Sequence, residues 1–318
     1  MDLQYLLFLQ DLRESTDNVL TPFMFFVTNF MATGIPMCCL AVFYWIFNKQ
    51  AGGWILMNWG IGRWLNGMIK LTACVYRPWI RDAAIIPAGD AIKSATGYSF
   101  PSGHSTSATI MYGSAGVLFY KHKKIILAAL CFLAVFLTMF SRNYLGVHTP
   151  QDVVCGFLVT LVVVVGNIRL FRWMQAGDSK RDLYVLLGGL AIMILSLVYI
   201  NVKPYPMDYV DGVLVVDPEK MKVDSLVSIC TTTTILAGWF VEKRFIGFVN
   251  PSDKMKGLVV GLILLVPIIL WDMYFSGLAH GLFSKVTLKI IKATVPFVYT
   301  CIVAPGILKA LTKSNILK

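Results

Sequence analysis

Charged side chains are scarce in this sequence of 318 residues. Asp, Glu, Lys and Arg together make up 14% of it, whereas soluble domains carry about 25%. The apolar residues make up 57% of the chain and come in blocks of about 20, the length that crosses a bilayer as a helix. The composition therefore excludes an ordinary soluble domain and predicts an all-α fold, a polytopic membrane helical bundle.

Cysteine pairs with metal-binding or redox spacing are also absent. All seven cysteines lie inside apolar stretches, and none forms a C-x-x-C pair. Cysteines in such stretches typically pack as small, buried apolar residues. We therefore expect neither a disulfide framework nor a zinc site. No nucleic-acid-binding motif occurs, so the net charge of +11 needs another explanation.

Hydrophobic segments long enough to span a membrane number about nine. They cover roughly residues 20–47, 51–76, 102–120, 125–143, 151–171, 183–201, 225–241, 257–275 and 290–310. The first 19 residues carry acidic side chains and no basic lead, which favours an interfacial helix over a signal peptide. We predict an interfacial segment at 1–19, a core bundle at 20–201 and a C-terminal extension with three spans at 202–318.

The basic residues fall mostly in the odd-numbered connections between these segments. Such loops face the cytoplasm by the positive-inside rule, which accounts for the net charge and leaves the even connections outside. The eighth connection departs from the pattern, because it holds Lys285, Lys289 and Lys292. We expect a multi-pass cell-membrane protein with the lipid bilayer, and no nucleic acid, as its partner.

Three polar clusters meet the predicted outer side. They are "KLTACVYRP" at 70–78, "PSGH" at 101–104 and "SRNYLGVHTPQD" at 141–152. In the first, Lys70 and Arg77 are seven residues apart and would share a helix face. The alternative is that both extend to lipid headgroups.

The second cluster has the pattern of a helix start. Ser102 can cap the helix, and Gly103 lets a ligand approach the backbone. The exposed N–H groups and the helix dipole favour an anion beside His104. The alternative is a capped helix with an incidental histidine.

The third cluster predicts another helix start, with Thr149 as its cap and Pro150 as its first residue. Asp152 then either completes a capping box or accepts a hydrogen bond from His148, which would leave the other ring nitrogen free to attack. Arg142 offers a planar fork suited to phosphate.

Taken together, two histidines, three cations, a carboxylate and two helix N-termini on one side are what phosphoryl transfer through histidine requires. Cations and amides neutralise the phosphoryl oxygens. One imidazole attacks the phosphorus, and a second one protonates the leaving oxygen.

The three motifs, K-x6-R-P, P-S-G-H and S-R-x5-H-x3-D, resemble the signatures of the type 2 phosphatidic acid phosphatase superfamily in order and spacing. The resemblance covers about residues 20–172. It implies a helical phosphatase without a metal or other cofactor, with its site beside the outer face of the bilayer. By position, His148 would be the nucleophile that forms a phosphohistidine, Asp152 would orient it, and His104 would be the general acid. The phosphate would be held by Lys70, Arg77, Ser102, Gly103 and Arg142.

The substrate is left open by the sequence. Undecaprenyl diphosphate, phosphatidylglycerol phosphate, phosphatidate and sphingoid phosphates all fit a lipid phosphatase. The alternatives are a phosphatase for a water-soluble ester such as a sugar phosphate, and a non-catalytic lipid transporter on the same bundle. In the extension, we expect Asp272 to pair with a cation and the acidic stretch 208–224 to be a solvated loop rather than a lid.

Overall fold

The computed structural model describes residues 2–32, 34–176, 180–210 and 212–317, and most of these residues are helical. The α-helices, in chain order, are α1 Asp2–Ser15, α2 Thr21–Ala32, α3 Gly34–Val42, α4 Lys49–Ala73, α5 Pro78–Arg81, α6 Gly103–Ala108, α7 Ser114–Lys121, α8 Ile125–Tyr144, α9 Pro150–Gln175, α10 Arg181–Val202, α11 Pro218–Val241, α12 Lys254–Leu278, α13 Lys285–Val298 and α14 Ala304–Lys313.

Shorter elements interrupt or join these helices. Gly89–Ser94 is a 3-10 helix, and the π-helical turns are Phe43–Phe47, Thr109–Gly113, Glu242–Ile246 and Tyr299–Val303. A small antiparallel hairpin pairs strand β1, Tyr209–Val210, with strand β2, Val213–Leu214. Tyr209 lies opposite Leu214 in this hairpin, so the acidic connection contains regular structure.

Six of the described helical segments are long and apolar enough to cross a membrane. They are 125–144, 150–175, 181–202, 218–246, 254–278 and 285–313, and 21–30 with 34–47 would make a seventh if the two form one broken span. The predicted count of nine is therefore not confirmed. The predicted spans 51–76 and 102–120 are helical, but α4 carries Arg63 and Lys70, and 103–121 is rich in Gly, Ser and Thr.

The chain forms two compact units. The first comprises Met1–Thr33, Gly62–Gly166 and Tyr199–Ser225, and the second comprises Gly34–Ile61, Asn167–Val198 and Leu226–Lys318. Every site residue named from the sequence lies in the first unit. The predicted domain boundaries after residues 19 and 201 stay a prediction, because each compact unit combines three separate stretches of the chain.

Helix α1 packs against the end of α8 in the first unit. Leu6 and Leu9 are buried, whereas Leu12 is 41% exposed. The buried Arg13 guanidinium donates to the carbonyls of Tyr144, at 3.1 Å, and Ile86, at 2.7 Å. The N-terminal helix therefore donates hydrogen bonds to two backbone carbonyls, one of which belongs to Tyr144 in the third cluster.

The start of α6 lies directly on α9. The Ser102 N–H donates to the Asp152 carbonyl at 2.9 Å. A Cβ atom on Gly156 would come within 2.8 Å of the Ser102 carbonyl oxygen. The absence of a side chain at Gly156 therefore allows the second and third clusters to touch.

The second unit contains two ion pairs that connect distant parts of the chain. The Lys49 ammonium lies 2.6 Å from the fully buried carboxylate of Glu242. Lys292 lies 3.3 Å from Asp272, which confirms the predicted pairing of Asp272 with a cation of the extension. Each of the seven cysteines is free.

Candidate active site

The "PSGH" motif starts helix α6 as its sequence predicts. Ser102 has extended backbone angles, and its hydroxyl accepts from the Ser105 N–H at 3.4 Å. Gly103 and His104 are the first helical residues, so their N–H groups have no acceptor within the helix. The positive end of this helix therefore faces the region where the other clusters converge.

At the start of α9, one carboxylate oxygen serves both of the roles considered for Asp152. Asp152 Oδ2 accepts from the Thr149 N–H at 2.8 Å, and the Thr149 hydroxyl accepts from the Asp152 N–H at 3.4 Å, which completes a capping box. The same Oδ2 lies 3.3 Å from His148 Nδ1. The cap thus fixes the carboxylate that orients the histidine.

Ser99 is a residue of this cluster that sequence reasoning missed. Its hydroxyl donates to Asp152 Oδ2 at 2.5 Å and lies 3.3 Å from His148 Nδ1. Asn143 was missed as well, and its amide donates to the His148 carbonyl at 2.8 Å. These two side chains hold the carboxylate and the backbone of the histidine, respectively.

Arg77 lies against the opposite nitrogen of the same imidazole. Its Nη1 is 2.9 Å from His148 Nε2 and also donates to the Val147 carbonyl at 3.0 Å. A guanidinium can only donate, so Nε2 is the acceptor and the ring proton is on Nδ1, facing Asp152. This tautomer places the lone pair on Nε2, where the Arg77 hydrogen bond occupies it until a phosphoryl group displaces the guanidinium.

The expectation that Lys70 and Arg77 share a helix face is wrong. Helix α4 ends at Ala73, and Arg77 is extended, with φ −65° and ψ 153°, as the residue that precedes α5. The residue before a proline is disfavoured in the helical region, and Pro78 follows Arg77. The two cations nevertheless lie in the same unit, and the buried Arg77 reaches the site from a loop.

Lys70 is held by the backbone of the loop before α6. Its ammonium donates to the carbonyls of Tyr98 at 2.8 Å, Ser99 at 3.2 Å and Pro101 at 3.0 Å. These three bonds use all of its donors. In this structure Lys70 therefore holds the "PSGH" loop and contributes its positive charge next to it.

Arg142 is fully buried beside two hydroxyls. Its Nη1 donates to Thr28 Oγ1 at 3.0 Å, and both terminal nitrogens lie within 3.5 Å of Ser94 Oγ. Its Nε is buried without a hydrogen-bond partner. A buried N–H without an acceptor is costly, so this atom suits an oxygen of a bound anion.

His104 is surrounded by positive groups. The guanidinium groups of Arg142, Arg63 and Arg77 lie close enough to act on its imidazole. Arg63 was not predicted to belong to the site. The structure places it next to Gly103, since a Cβ atom on Gly103 would lie 3.4 Å from Arg63 Nη1. Within the described part of the chain, no side chain hydrogen-bonds to the His104 ring.

Burial affects the protonation of His148 and Arg77, which both lie in loops. Burial, followed by the positive charge of Arg77, holds the pKa of the His148 imidazole well below its ordinary 6.5. His148 is therefore neutral at neutral pH. Burial also lowers the pKa of Arg77, to about 10, which leaves the guanidinium charged. A neutral nucleophile and a cation thus face each other.

Comparisons with known proteins agree with the motifs. Phosphatidylglycerophosphatase B of Bacillus subtilis is 32% identical to this chain over 133 residues. The match covers 40% of this chain and 57% of that protein, and no solved structure matches. The sequence model of the PAP2 superfamily, which is the family that the three motifs resemble, matches residues 51–176. The region 51–176 of this chain therefore matches the PAP2 superfamily, and it contains all three polar clusters.

Proposed function

We propose that this protein is an integral membrane phosphatase that hydrolyses a lipid phosphate or diphosphate through a phosphohistidine. The observation that carries the proposal is the arrangement around His148. Asp152 lies at one ring nitrogen, and the Arg77 guanidinium lies 2.9 Å from the other. A phosphoryl group that enters between Arg77 and Nε2 meets a nucleophile and a cation together.

In the first chemical step, His148 Nε2 attacks the phosphorus, and the bond from phosphorus to the leaving oxygen breaks. Three groups neutralise the phosphoryl oxygens: Arg77, the unpartnered Nε of Arg142, and the N–H groups at Gly103 and His104. Lys70 supports this pocket by holding the carbonyls of the preceding loop. Asp152 stabilises the positive charge that develops on the His148 ring.

The negative charge of the bound phosphoryl group favours the protonated form of His104, and His104 then supplies the proton that the leaving oxygen needs. In the second step, His104 accepts a proton from water, the water oxygen attacks the phosphorus, and the bond from phosphorus to Nε2 breaks. Inorganic phosphate is released, and both histidines return to their starting states. Every step uses side chains of this chain, so the proposed mechanism requires no metal.

Two observations support a lipid substrate. Six described segments are apolar enough to cross a membrane, so the site belongs to a chain embedded in lipid. The Bacillus subtilis relative is by name a phosphatidylglycerophosphatase. If the nine predicted segments all span the membrane, the concentration of Lys and Arg in the odd connections favours a site on the extracytoplasmic side.

The proposal is tested with the purified full-length protein in detergent micelles. Phosphate release is measured from phosphatidylglycerol phosphate, phosphatidate, undecaprenyl diphosphate and glucose 6-phosphate, for wild type and for His148→Ala. We expect activity on at least one lipid, none with His148→Ala, inhibition by vanadate and no effect of a chelator. Activity on the sugar phosphate alone would overturn the lipid assignment. Lipid hydrolysis by a folded His148→Ala protein would overturn the mechanism.

A further inference from the structure

Residues 199–225, here termed the cap segment, join the site although they lie outside the family match. The compact unit that contains all three clusters also contains Tyr199–Ser225. The match to the PAP2 superfamily ends at residue 176. The segment comprises the end of α10, the β1–β2 hairpin and the first turns of α11. A few of its residues contact the first cluster and Gly97, whereas Asp208, Asp217 and Glu219 are exposed, as expected of a solvated stretch.

One side of the cap segment binds the loop that leads to Arg77. The Tyr76 hydroxyl donates to Asp208 Oδ2 at 2.5 Å. Nearer to α4, the hydroxyls of Thr72 and Tyr199 lie 2.8 Å apart. These contacts fix the end of α4 and the residue directly before Arg77.

The other side of the cap segment covers Gly97. A Cβ atom on Gly97 would come 2.0 Å from the Met221 sulfur, so the methionine lies directly on this glycine. Gly97 has a φ of +72°, which favours glycine. Met221 is 5% exposed, and its sulfur occupies the space that a side chain at 97 would need.

The backbone beneath Met221 holds the Arg77 guanidinium. Arg77 Nε donates to the Gly97 carbonyl at 3.0 Å, and Nη2 donates to the Thr96 carbonyl at 3.2 Å. The Ser99 N–H donates to the Val75 carbonyl at 2.7 Å, which joins the loops on which the cap segment rests. The remaining nitrogen, Nη1, is the one that lies against His148.

We propose that the cap segment positions Arg77 against His148, with Met221 and Asp208 as positioning residues that the family region does not supply. This inference rests on the proposed function, because it assigns the cap segment a part in phosphoryl transfer. Met221 acts by packing on the glycine that accepts from Arg77. Asp208 acts by fixing Tyr76. A displacement of a reacting group by about 1 Å can cost about 10²-fold in rate, so small changes in this packing are measurable.

The test compares Met221→Ala with Met221→Leu and with Lys220→Ala, an exposed neighbour on α11 that serves as the control. Values of kcat and KM are measured for a lipid phosphate and for a soluble aryl phosphate, per amount of folded protein. We expect Met221→Ala to lower kcat on both substrates by about tenfold to 10²-fold. Met221→Leu should restore most of it, because Leu has a similar volume. Lys220→Ala should match wild type.

A pH profile separates positioning from mere stability. The charged and titratable groups that act on the His148 ring are Arg77, Asp152, Arg142 and His104. If Arg77 moves away, one positive charge at the ring is lost, and the pKa of His148 rises. The acid limb of kcat/KM should then move to higher pH in Met221→Ala by about half a unit or more.

The Asp208 contact is tested by a double-mutant cycle with Tyr76→Phe and Asp208→Asn. The two single changes should each lower kcat, and the double variant should lose no more than either one, because both remove the same contact. Full additivity would overturn the role of this pair.

Three results for Met221→Ala would overturn the proposal. The first is an unchanged kcat. The second is a change in KM for the lipid alone, which would indicate that the segment forms a substrate entrance. The third is a loss of activity explained entirely by a smaller amount of folded protein. His148→Ala keeps the two proposals apart. If it retains full activity, the proposed function fails, whatever the cap-segment variants do.

Discussion

Asp152→Asn is the substitution whose consequence the structure defines most closely. Asp152 Oδ2 receives three donors, from the Thr149 N–H, the Ser99 hydroxyl and His148 Nδ1, at 2.8, 2.5 and 3.3 Å. An asparagine can place its carbonyl oxygen at the same point, so the cap of α9 can persist. What the variant loses is the negative charge beside the histidine.

The expected loss of kcat follows from the hydrogen bond between Asp152 and His148. A hydrogen bond to a charged group contributes about 1.5–3 kcal/mol. The same charge stabilises the imidazolium character that develops during attack. Losing this contribution in the transition state lowers kcat by about 10- to 150-fold. The free energy of unfolding should fall by less, about 1 kcal/mol, because the substitution only weakens the cap of α9.

The assay is kcat for a lipid phosphate in detergent micelles, with thermal unfolding of the same preparation as the check on folding. Ser99→Ala is the matched control, since it removes one donor to Oδ2 and keeps the carboxylate, and it should cost less than about tenfold. A folded Asp152→Asn protein whose kcat is within twofold of wild type would refute the role given to Asp152.

Three further predictions concern pH, Lys70 and Gly156. Since the pKa of His148 lies well below 6.5, its neutral form persists as pH falls. The acid limb of kcat/KM, corrected for titration of the substrate phosphate, should therefore lie below pH 6.5, and a limb above 7 that follows His148 would contradict this. Lys70→Met should lower kcat/KM by at least about tenfold, because it removes the ammonium that donates to three carbonyls of the loop before α6. An unchanged value would show that Lys70 neither holds this loop nor contributes its charge to the site. Gly156→Ala should reduce stability to thermal unfolding by about 1–3 kcal/mol, because its Cβ would lie 2.8 Å from the Ser102 carbonyl, whereas Gly166→Ala on the same helix meets no neighbouring atom and should be near neutral.

The helix starts could be predicted from the sequence because capping is a local property. The Ser-Gly-His and Thr-Pro-x-Asp patterns determine where α6 and α9 begin, and the structure shows these caps. The membrane class was predictable for the same reason, since a low charge fraction and long apolar blocks are visible without any tertiary contact.

The features that were missed depend on contacts between distant residues. Nothing in the spacing indicates that the Ser99 hydroxyl would reach Asp152, 53 positions away. The shared face for Lys70 and Arg77 assumed an unbroken helix, although Pro78 argued against helical geometry at Arg77. The count of nine spans treated α4 as an ordinary span. Arg63 and Lys70 of this helix instead lie beside the polar site, next to Gly103 and the loop before α6.

The cap segment shows a similar limit. Its many acidic residues predict a solvated loop, because carboxylates favour water. The contacts of the segment with the loops around Arg77 were not predicted: Met221 packs on Gly97, and Asp208 accepts a hydrogen bond from Tyr76, which lies outside the segment. These pairings join residues about 120 to 130 positions apart, and a single sequence carries no signal for them.

The most direct test of the account is to look for the covalent intermediate. The protein is mixed with a lipid phosphate, quenched within milliseconds in alkaline denaturant, digested and analysed by mass spectrometry. We predict phosphate on a ring nitrogen of His148 in wild type, more of it in His104→Ala when an activated aryl phosphate is the substrate, and none in His148→Ala. Turnover by wild type with no phosphate on His148 at any quench time, or with phosphate on another residue, would contradict the central claim.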